Sequence, residues 1–191
     1  CSTGRILAEL AATADHVVGV DLHFGAVRRA RRLLAGEPLT YARRMTGRTY
    51  ASATIAAGPR LVDRIKLVCG DALDPPFLPG VFDRVVALNV LDSVRSPRQL
   101  LAVMDGLCAP TGELILSSPY TWQSSVMDDS ERLGGADPAA AIVRLLTTGE
   151  GLGARYVIED EADLPWTLRR DARNAVAYCI HYVRARRVPR A

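Results

Sequence analysis

Short apolar runs alternate with amphipathic segments along most of this chain, and this order constrains its fold more than any other feature. The run HVVGVD, residues 16–21, has the pattern of a buried strand, and residues 25–34 place apolar side chains at helical spacing. The same patterns predict strands at 65–69, 82–89 and 113–117, and helices at 4–13, 97–108 and 138–147. Strands that alternate with covering helices form a mostly parallel sheet wound on both faces.

The C-terminal part of the chain predicts a different arrangement at the edge of this sheet. Residues 154–159 and 176–183 have strand patterns, with a proline-aromatic turn at Pro165 and Trp166 between them. We expect these two strands to pair antiparallel. The predicted fold class is therefore α/β, with a doubly wound, mostly parallel sheet and an antiparallel C-terminal edge hairpin.

The length of 191 residues suits a single domain over residues 1–191, interrupted between residues 36 and 59. That stretch has turn residues and no sustained periodicity, which predicts an insertion or lid over the sheet edge. The chain begins at Cys1 inside a candidate ligand loop, so we expect the sequence to be a fragment truncated at its N-terminus.

Charge and composition disfavour several classes of function. With 24 basic and 21 acidic residues nearly balanced, the arginine runs at 28–32 and 184–187 are interpreted as solvated faces rather than nucleic-acid contacts. No apolar run approaches the roughly 18 residues of a membrane-spanning helix, and the cysteine spacing predicts no metal site. We expect a cytoplasmic protein without a membrane partner; the sequence does not indicate its oligomeric state.

The ends of the predicted parallel strands are where a ligand is expected. Gly4 opens the first helix, where backbone amides can approach a ligand closely, and Asp21 at the next strand end can accept hydrogen bonds from ribose hydroxyls. A dinucleotide fingerprint requires GxGxxG, but Leu7 or Cys1 occupies a glycine position in the two registers that use Gly4. The pattern therefore favours a nucleoside over a dinucleotide, and a helix cap is the alternative role for Asp21.

A second carboxylate follows the third predicted strand. In the sequence Gly70-Asp71-Ala72, the aspartate can accept a hydrogen bond from an adenine amino group. Aspartate after glycine is also a common turn former, which is the alternative interpretation. Together, Asp21 and Asp71 predict that one adenosine lies between two acidic strand ends.

These segments resemble class I methyltransferases that use S-adenosylmethionine, over essentially the full chain. CSTGR is similar to the tail of that family's glycine loop, VVGVD to its acidic second strand and VCGDALD to its adenine segment. The resemblance implies a Rossmann-like fold whose first strand is absent here, and S-adenosylmethionine as cofactor with S-adenosylhomocysteine as product. The cofactor contacts it implies are Cys1, Ser2, Gly4, Asp21, Leu22, Asp71, Ala72, Asn89 and Leu91. For Asn89, a turn that ends the strand is the alternative role.

Further segments narrow the resemblance. VVALNVLDSVRSPRQLLAVMDGL, LILSSPYTW and LPWTLRR are similar to bacterial small-molecule methyltransferases related to the mercaptohistidine methyltransferases. This implies a small-molecule acceptor, such as the imidazole or thiol of a histidine-like compound.

Aromatic residues after the fifth predicted strand are candidates for the acceptor pocket. Tyr120 and Trp122 can form its wall, and aromatic rings also favour a cationic sulfonium. Trp166 and Arg169, on the predicted proline turn, can close over the same pocket, although simple packing explains each of these residues equally well. His181 lies in the alternating run YCIHY and is interpreted as a structural residue rather than a general base, so no catalytic residue is assigned.

Other functions stay open at this point. The sheet is shared with nicotinamide-dependent oxidoreductases, although the failed glycine fingerprint disfavours that class. A non-catalytic methyltransferase-like binding domain and a nucleic-acid methyltransferase are the remaining alternatives. Tight binding of a nicotinamide cofactor would indicate the oxidoreductase, and calorimetry with S-adenosylmethionine and S-adenosylhomocysteine separates the methyltransferase from the first two rivals. A steep salt dependence of RNA or DNA binding indicates the nucleic-acid methyltransferase.

Overall fold

The computed structural model describes residues 1–188, which form two compact units. Unit 1 comprises Cys1–Pro75 and Arg169–Ala175, and unit 2 comprises Pro76–Leu168 and the chain from Val176 onward. None of the helices within residues 1–188 is long and apolar enough to cross a membrane.

The helices and strands follow the predicted order. The helices are α1 (Arg5–Leu10), α2 (Phe24–Leu34), α3 (Pro97–Leu107) and α4 (Pro138–Thr148), with short 3-10 turns at Leu91–Ser93 and Asp129–Glu131. The strands are β1 (Val17–Asp21), β2 (Leu39–Thr46), β3 (Thr49–Ile55), β4 (Ile65–Cys69), β5 (Phe82–Leu88), β6 (Cys108–Ser118), β7 (Tyr156–Arg169) and β8 (Ala175–Arg187).

In unit 1, α1 and α2 pack against a parallel pair of strands. β1 and β4 pair in register from Val17 opposite Ile65 to Asp21 opposite Cys69. The buried apolar residues of this core are Leu7, Ala11, Val17, Ala30, Leu34 and Ile65. Gly19 on β1 allows this close packing, because a Cβ at that position would lie 2.4 Å from the Cδ1 atom of Leu7.

The stretch predicted as an irregular insertion contains a β-hairpin. β2 and β3 pair antiparallel as a sheet of their own, with Gly47 in the connecting turn at a φ of 53°. Most of their side chains are exposed on both faces. The strands therefore lack the apolar alternation that burial of one face produces, and the sequence pattern did not predict them.

In unit 2, the strands form one sheet in the order β5-β6-β8-β7. β5 and β6 are parallel, and β8 pairs antiparallel with β6, with Ser118 opposite His181. The last strand thus lies inside the sheet and β7 forms its edge. α3 contacts both parallel strands through its buried face, which includes Leu100, Leu101 and Met104.

The predicted turn at Pro165 and Trp166 is wrong, because both residues lie within β7. Proline removes a hydrogen-bond donor from a strand, and an edge strand such as β7 tolerates that loss. The chain reverses instead after Arg170, whose amide donates to the carbonyl of Asn174 at 2.9 Å. Asp171 fixes this turn by accepting hydrogen bonds from the amides of Arg173 and Asn174.

The predicted α/β class is confirmed. The strands of residues 1–188 hydrogen bond as three sheets, two of which contain a parallel pair. One continuous doubly wound sheet therefore stays a prediction, as does a single domain over residues 1–191.

Candidate cofactor and acceptor sites

The carboxylate of Asp21, at the end of β1, binds the N-terminal loop. Its Oδ2 atom accepts hydrogen bonds from the Cys1 nitrogen at 3.0 Å and the Ser2 amide at 2.6 Å. Its Oδ1 atom accepts from the His23 amide at 2.9 Å, and His23 in turn caps α2. Asp21 therefore joins the candidate ligand loop to the start of α2, a role that the sequence analysis missed.

The surroundings of Asp21 keep it ionised. Burial acting alone raises the pKa of this carboxyl group, but hydrogen bonds from the His23 and Ser2 amides act in the opposite direction. The net effect lowers the pKa of Asp21 below its ordinary value. At neutral pH the group is a carboxylate that can only accept hydrogen bonds.

The loop itself requires a glycine at Gly4. The amide of Gly4 donates to the Cys1 carbonyl at 3.0 Å, and Ser2 and Gly4 have φ angles of 49° and 85°. A Cβ on Gly4 would lie 3.2 Å from Ala30 Cβ and Leu34 Cδ1, both on α2. The backbone of the loop is thus held close to α2 in a conformation that side chains rarely adopt.

The structure places Asp71 at the same edge of the β1–β4 pair as Asp21. The amide of Gly70, directly after β4, donates to the Asp21 carbonyl at 3.1 Å. Asp71 is half-buried, and its Oδ1 atom accepts a hydrogen bond from the Leu73 amide at 2.8 Å. Asp71 therefore shapes the turn, as its alternative interpretation predicts, and it follows a residue that is hydrogen bonded to Asp21.

The neighbours of these aspartates differ in exposure. Leu22 is 74% exposed and Phe24 is 66% exposed, whereas Ala72 is half-buried. An exposed apolar surface directly after Asp21 suits the ring of a bound nucleoside.

In unit 2, Asn89 and Leu91 follow β5. The Asn89 amide donates to the Ser117 carbonyl at 2.8 Å, and its Oδ1 atom accepts from the Ser117 hydroxyl at 3.1 Å. Leu91 is only 2% exposed. The hydrogen bonds of Asn89 fix the end of β5 against β6, and the roles of both residues as cofactor contacts stay predictions.

A buried carboxylate fixes the loop after β6. Asp92 is 2% exposed, and its Oδ2 atom accepts hydrogen bonds from the Thr121 amide at 3.0 Å and the Thr121 hydroxyl at 2.5 Å. The residues on either side, Tyr120 and Trp122, have φ angles of 53° and 40°. Asp92 thus fixes a strained segment that carries Tyr120 and Trp122, the two aromatic candidates for the acceptor pocket.

The structure brings Tyr120 and Trp122 together, with their ring centroids 5.6 Å apart. Trp166 instead packs against Tyr178, with the centroids 5.1 Å apart. Arg169, at the end of β7, is exposed. Tyr120 and Trp122 are therefore adjacent, and their role as a wall of the acceptor pocket stays a prediction. The predicted turn bearing Trp166 and Arg169 does not exist.

His181 has a partner on each ring nitrogen. It is 7% exposed, with Nδ1 at 2.7 Å from the Tyr120 hydroxyl and Nε2 at 3.0 Å from Glu161 Oε1. The satisfied ring agrees with the structural role predicted for it. Glu161 was missed, because the turn wrongly placed at Pro165 ended the predicted strand before this residue.

The Tyr120 hydroxyl lies in acidic surroundings. Burial raises the pKa of this group, and the carboxylates of Glu161, Asp163, Asp137 and Asp92 raise it further. Tyr120 is therefore a neutral phenol at physiological pH.

Four of the predicted site residues have a left-handed backbone conformation. Among residues 1–188, the non-glycine residues with positive φ are Ser2, Asn89, Tyr120 and Trp122. Each of them was predicted from the sequence as a site residue. Such conformations are costly and cluster at functional sites, which supports the predicted location.

Within residues 1–188 no group of three His, Cys, Asp or Glu side chains could hold a metal ion.

Solved structures share this fold at low sequence identity. A SAM-dependent methyltransferase from Methanosarcina mazei has a TM-score of 0.63 at 16% identity, over 100% of this chain and 90% of that one. The N-methyltransferase NodS from Bradyrhizobium japonicum, in complex with S-adenosyl-L-homocysteine, has a TM-score of 0.59 at 15% identity, over 98% and 74%. The cyclase SpnF has a TM-score of 0.58 at 13% identity, over 100% and 74%.

At these identities the likeness shows the fold alone, and the cyclase shows that this fold carries more than one chemistry. The sequence gives a more specific match. Residues 1–116 match the family described as a methyltransferase domain, which is more than half of the 191 residues. The matched region contains the loop at Gly4 and the strand ends at Asp21, Asp71 and Asn89. The chain belongs to the methyltransferase-domain family.

Proposed function

We propose that this chain is an S-adenosylmethionine-dependent methyltransferase that acts on a small-molecule acceptor. The observation that carries the proposal is the position of Asp21 and Asp71 after two neighbouring parallel strands, at one edge of the β1–β4 pair. Nucleoside ligands bind at this edge of parallel sheets. The family match and the likeness to NodS, solved with S-adenosyl-L-homocysteine, support the same cofactor.

The residues of unit 1 fit the nucleoside part of that cofactor. Asp21 is an ionised acceptor, which suits the two hydroxyl donors of a ribose. Asp71 accepts from the adenine amino group, and the exposed side chain of Leu22 packs on the purine ring. Cys1, Ser2, Gly4 and Ala72 supply close backbone contacts. The roles of Asn89 and Leu91 rest on the family resemblance alone.

The protein contributes mainly positioning to the reaction. S-adenosylmethionine, when bound, supplies the methyl group on a sulfonium, and transfer is an in-line displacement that depends on near-attack geometry. The Tyr120–Trp122 pair forms one wall of the acceptor pocket, where it also favours positive charge. The resemblance to mercaptohistidine methyltransferases supports an imidazole or thiol acceptor.

Calorimetry tests the cofactor assignment. S-adenosylmethionine and S-adenosylhomocysteine are expected to bind the chain, and NAD is not, because the loop lacks a dinucleotide fingerprint. Methyl transfer from labelled S-adenosylmethionine to L-histidine and to 2-mercaptoimidazole is then measured. Binding of NAD without binding of S-adenosylhomocysteine would contradict the proposal.

The β2–β3 hairpin favours a second candidate, a nucleic-acid methyltransferase. Its exposed residues include Tyr41, Arg43, Arg44, Arg48 and Tyr50, and residues 39–55 contain no acidic side chain. Basic and aromatic side chains on one exposed element suit phosphates and stacked bases. For this candidate, RNA binding is expected to weaken steeply with salt and to depend on the three arginines.

A further inference from the structure

Tyr120, His181 and Glu161 form a hydrogen-bonded chain that the proposed methyl transfer does not yet use. His181 lies opposite Ser118, the last residue of β6, and Tyr120 follows two residues later. The Ser118 hydroxyl accepts a hydrogen bond from the Tyr120 amide at 3.1 Å. This series of hydrogen bonds therefore begins just after the carboxyl end of β6, at Tyr120, and continues through His181 on β8 to Glu161 on β7.

The chemistry of Glu161 fixes the direction of these hydrogen bonds. A carboxylate only accepts, so Nε2 of His181 carries a proton and donates it to Glu161 across 3.0 Å. In a neutral imidazole the other nitrogen is then an acceptor. The Tyr120 hydroxyl consequently donates to Nδ1 across 2.7 Å.

We propose that Tyr120, His181 and Glu161 form a proton relay that takes the proton lost by the methyl acceptor, a small molecule with a thiol, phenol or azole N–H group. This inference rests on the proposed methyltransferase function. Tyr120 is its catalytic residue, because in this proposal its hydroxyl takes the proton directly from the acceptor. His181 and Glu161 are positioning residues that act through Tyr120.

The proposed step balances in atoms and charge. As the acceptor atom bonds to the methyl carbon, the carbon–sulfur bond breaks and its electron pair stays on sulfur, which becomes a neutral thioether. The acceptor proton moves to the Tyr120 oxygen, and the Tyr120 proton moves to Nδ1 of His181. The single positive charge of the sulfonium is thus replaced by an imidazolium paired with Glu161.

The charged groups around Tyr120 favour this outcome over a free phenolate. Glu161 and Asp163 act on it from β7, Asp137 from the start of α4, and Asp92 from the 3-10 turn after β5. All four are carboxylates, which disfavour a negative tyrosine oxygen and stabilise a positive imidazole. Transfer of the tyrosine proton to His181 in the same step avoids the phenolate.

The tautomer of His181 gives a test that needs no acceptor. In 15N NMR spectra of the chain near neutral pH, we expect Nε2 to be protonated and Nδ1 to be unprotonated. Glu161→Gln removes the obligatory acceptor and is expected to populate the second tautomer. A proton on Nδ1 of the unsubstituted chain would overturn the relay, because Tyr120 could not pass its proton there.

Methyl transfer to 2-mercaptoimidazole, phenol and imidazole tests the role in the reaction. Tyr120→Phe and His181→Gln are expected to lower kcat by about 100-fold or more while leaving S-adenosylhomocysteine affinity unchanged. For 2-mercaptoimidazole and phenol, the loss is expected to shrink as pH rises and the acceptor ionises by itself. His16→Gln, at an exposed position of unit 1, is the matched control.

The outcomes separate the relay from the function on which it rests. If the unsubstituted chain does not bind S-adenosylhomocysteine, the proposed function fails, and the relay fails with it. If it binds this ligand but methylates none of the three probes, the small-molecule acceptor and the relay are both overturned, while the cofactor assignment stands. Unchanged rates and pH profiles in Tyr120→Phe and His181→Gln would also overturn the relay alone.

Discussion

The amide of Gly70 donates a hydrogen bond to the carbonyl of Asp21 at 3.1 Å, so the chain leaves β4 beside the end of β1. This contact places Asp71, the next residue, at the strand edge that Asp21 occupies. Asp21 also accepts hydrogen bonds from the loop at Ser2 and from His23. One edge of unit 1 therefore holds an acidic pair, the candidate ligand loop and the start of α2.

Acid is expected to weaken unit 1 through Asp21. Its pKa is lowered in the folded state, so its stabilising contribution is complete above the ordinary aspartate pKa of about 3.9 and is lost as pH falls through the folded value. Urea unfolding between pH 6 and pH 2.5 measures this effect. The unfolding free energy of the unsubstituted chain should fall more steeply below pH 4 than that of Asp21→Asn. Asp63→Asn is the control, because the Asp63 side chain is 81% exposed and its substitution should leave the pH dependence unchanged. Equal pH slopes for the unsubstituted chain and Asp21→Asn would refute the prediction.

Gly4→Ala is expected to damage the ligand loop beyond the cost of backbone strain. Gly4 and Gly47 both have positive φ, at 85° and 53°, so alanine costs roughly 1–2 kcal/mol at either position. Only at Gly4 does the new Cβ meet neighbours, at 3.2 Å, whereas nothing lies within 4 Å at Gly47. Gly4→Ala should therefore weaken S-adenosylhomocysteine binding, and Gly47→Ala should not. If both variants bind S-adenosylhomocysteine with equal affinity, the loop at Gly4 does not belong to the ligand site.

Tyr156→Phe is expected to destabilise the core of unit 2. The Tyr156 hydroxyl donates to Asp105 Oδ1 at 2.7 Å, and both side chains are buried. Loss of a buried hydrogen bond to a charged group costs about 1.5–3 kcal/mol. Urea unfolding measures the change, with the exposed Tyr50→Phe expected within about 0.5 kcal/mol of the unsubstituted chain. A matching small effect of Tyr156→Phe would show that Asp105 does not depend on this hydroxyl.

Thr121→Val is expected to release the aromatic pair. Asp92 is 2% exposed and would lose one of two donors on Oδ2, which costs about 1–3 kcal/mol. Near-ultraviolet circular dichroism should change as Tyr120 and Trp122 lose their fixed arrangement. Thr54→Val removes an exposed hydroxyl pair on the hairpin and is the control. An unaltered spectrum in Thr121→Val would show that Asp92 does not order the loop.

The buried parallel strands were predictable because burial on both faces leaves an apolar run in the sequence. β1 and β4 were predicted to within one residue, and the polar residues after them mark their ends. The positions of Asp21 and Asp71 follow directly from those boundaries. Their side-chain contacts did not, because the hydrogen bonds from Ser2 and Leu73 use backbone amides that any sequence supplies.

Elements at exposed edges were not predictable in the same way. The β2–β3 hairpin buries neither face, and β7 includes Pro165, which normally ends a strand. This error also concealed Glu161, since its contact with His181 exists only when β7 extends beside β8. The candidate cofactor residues could thus be found from strand ends, whereas the relay required the structure.

Calorimetric titration of S-adenosylhomocysteine into the chain and into Asp21→Asn, Asp71→Asn and Asp63→Asn tests the central claim most directly. The account predicts that the first two substitutions each weaken binding by about 10-fold or more, since a hydrogen bond to a charged group contributes about 1.5–3 kcal/mol. Asp63→Asn should bind like the unsubstituted chain. Binding that is unaffected by substitution of Asp21 and Asp71 would contradict the account.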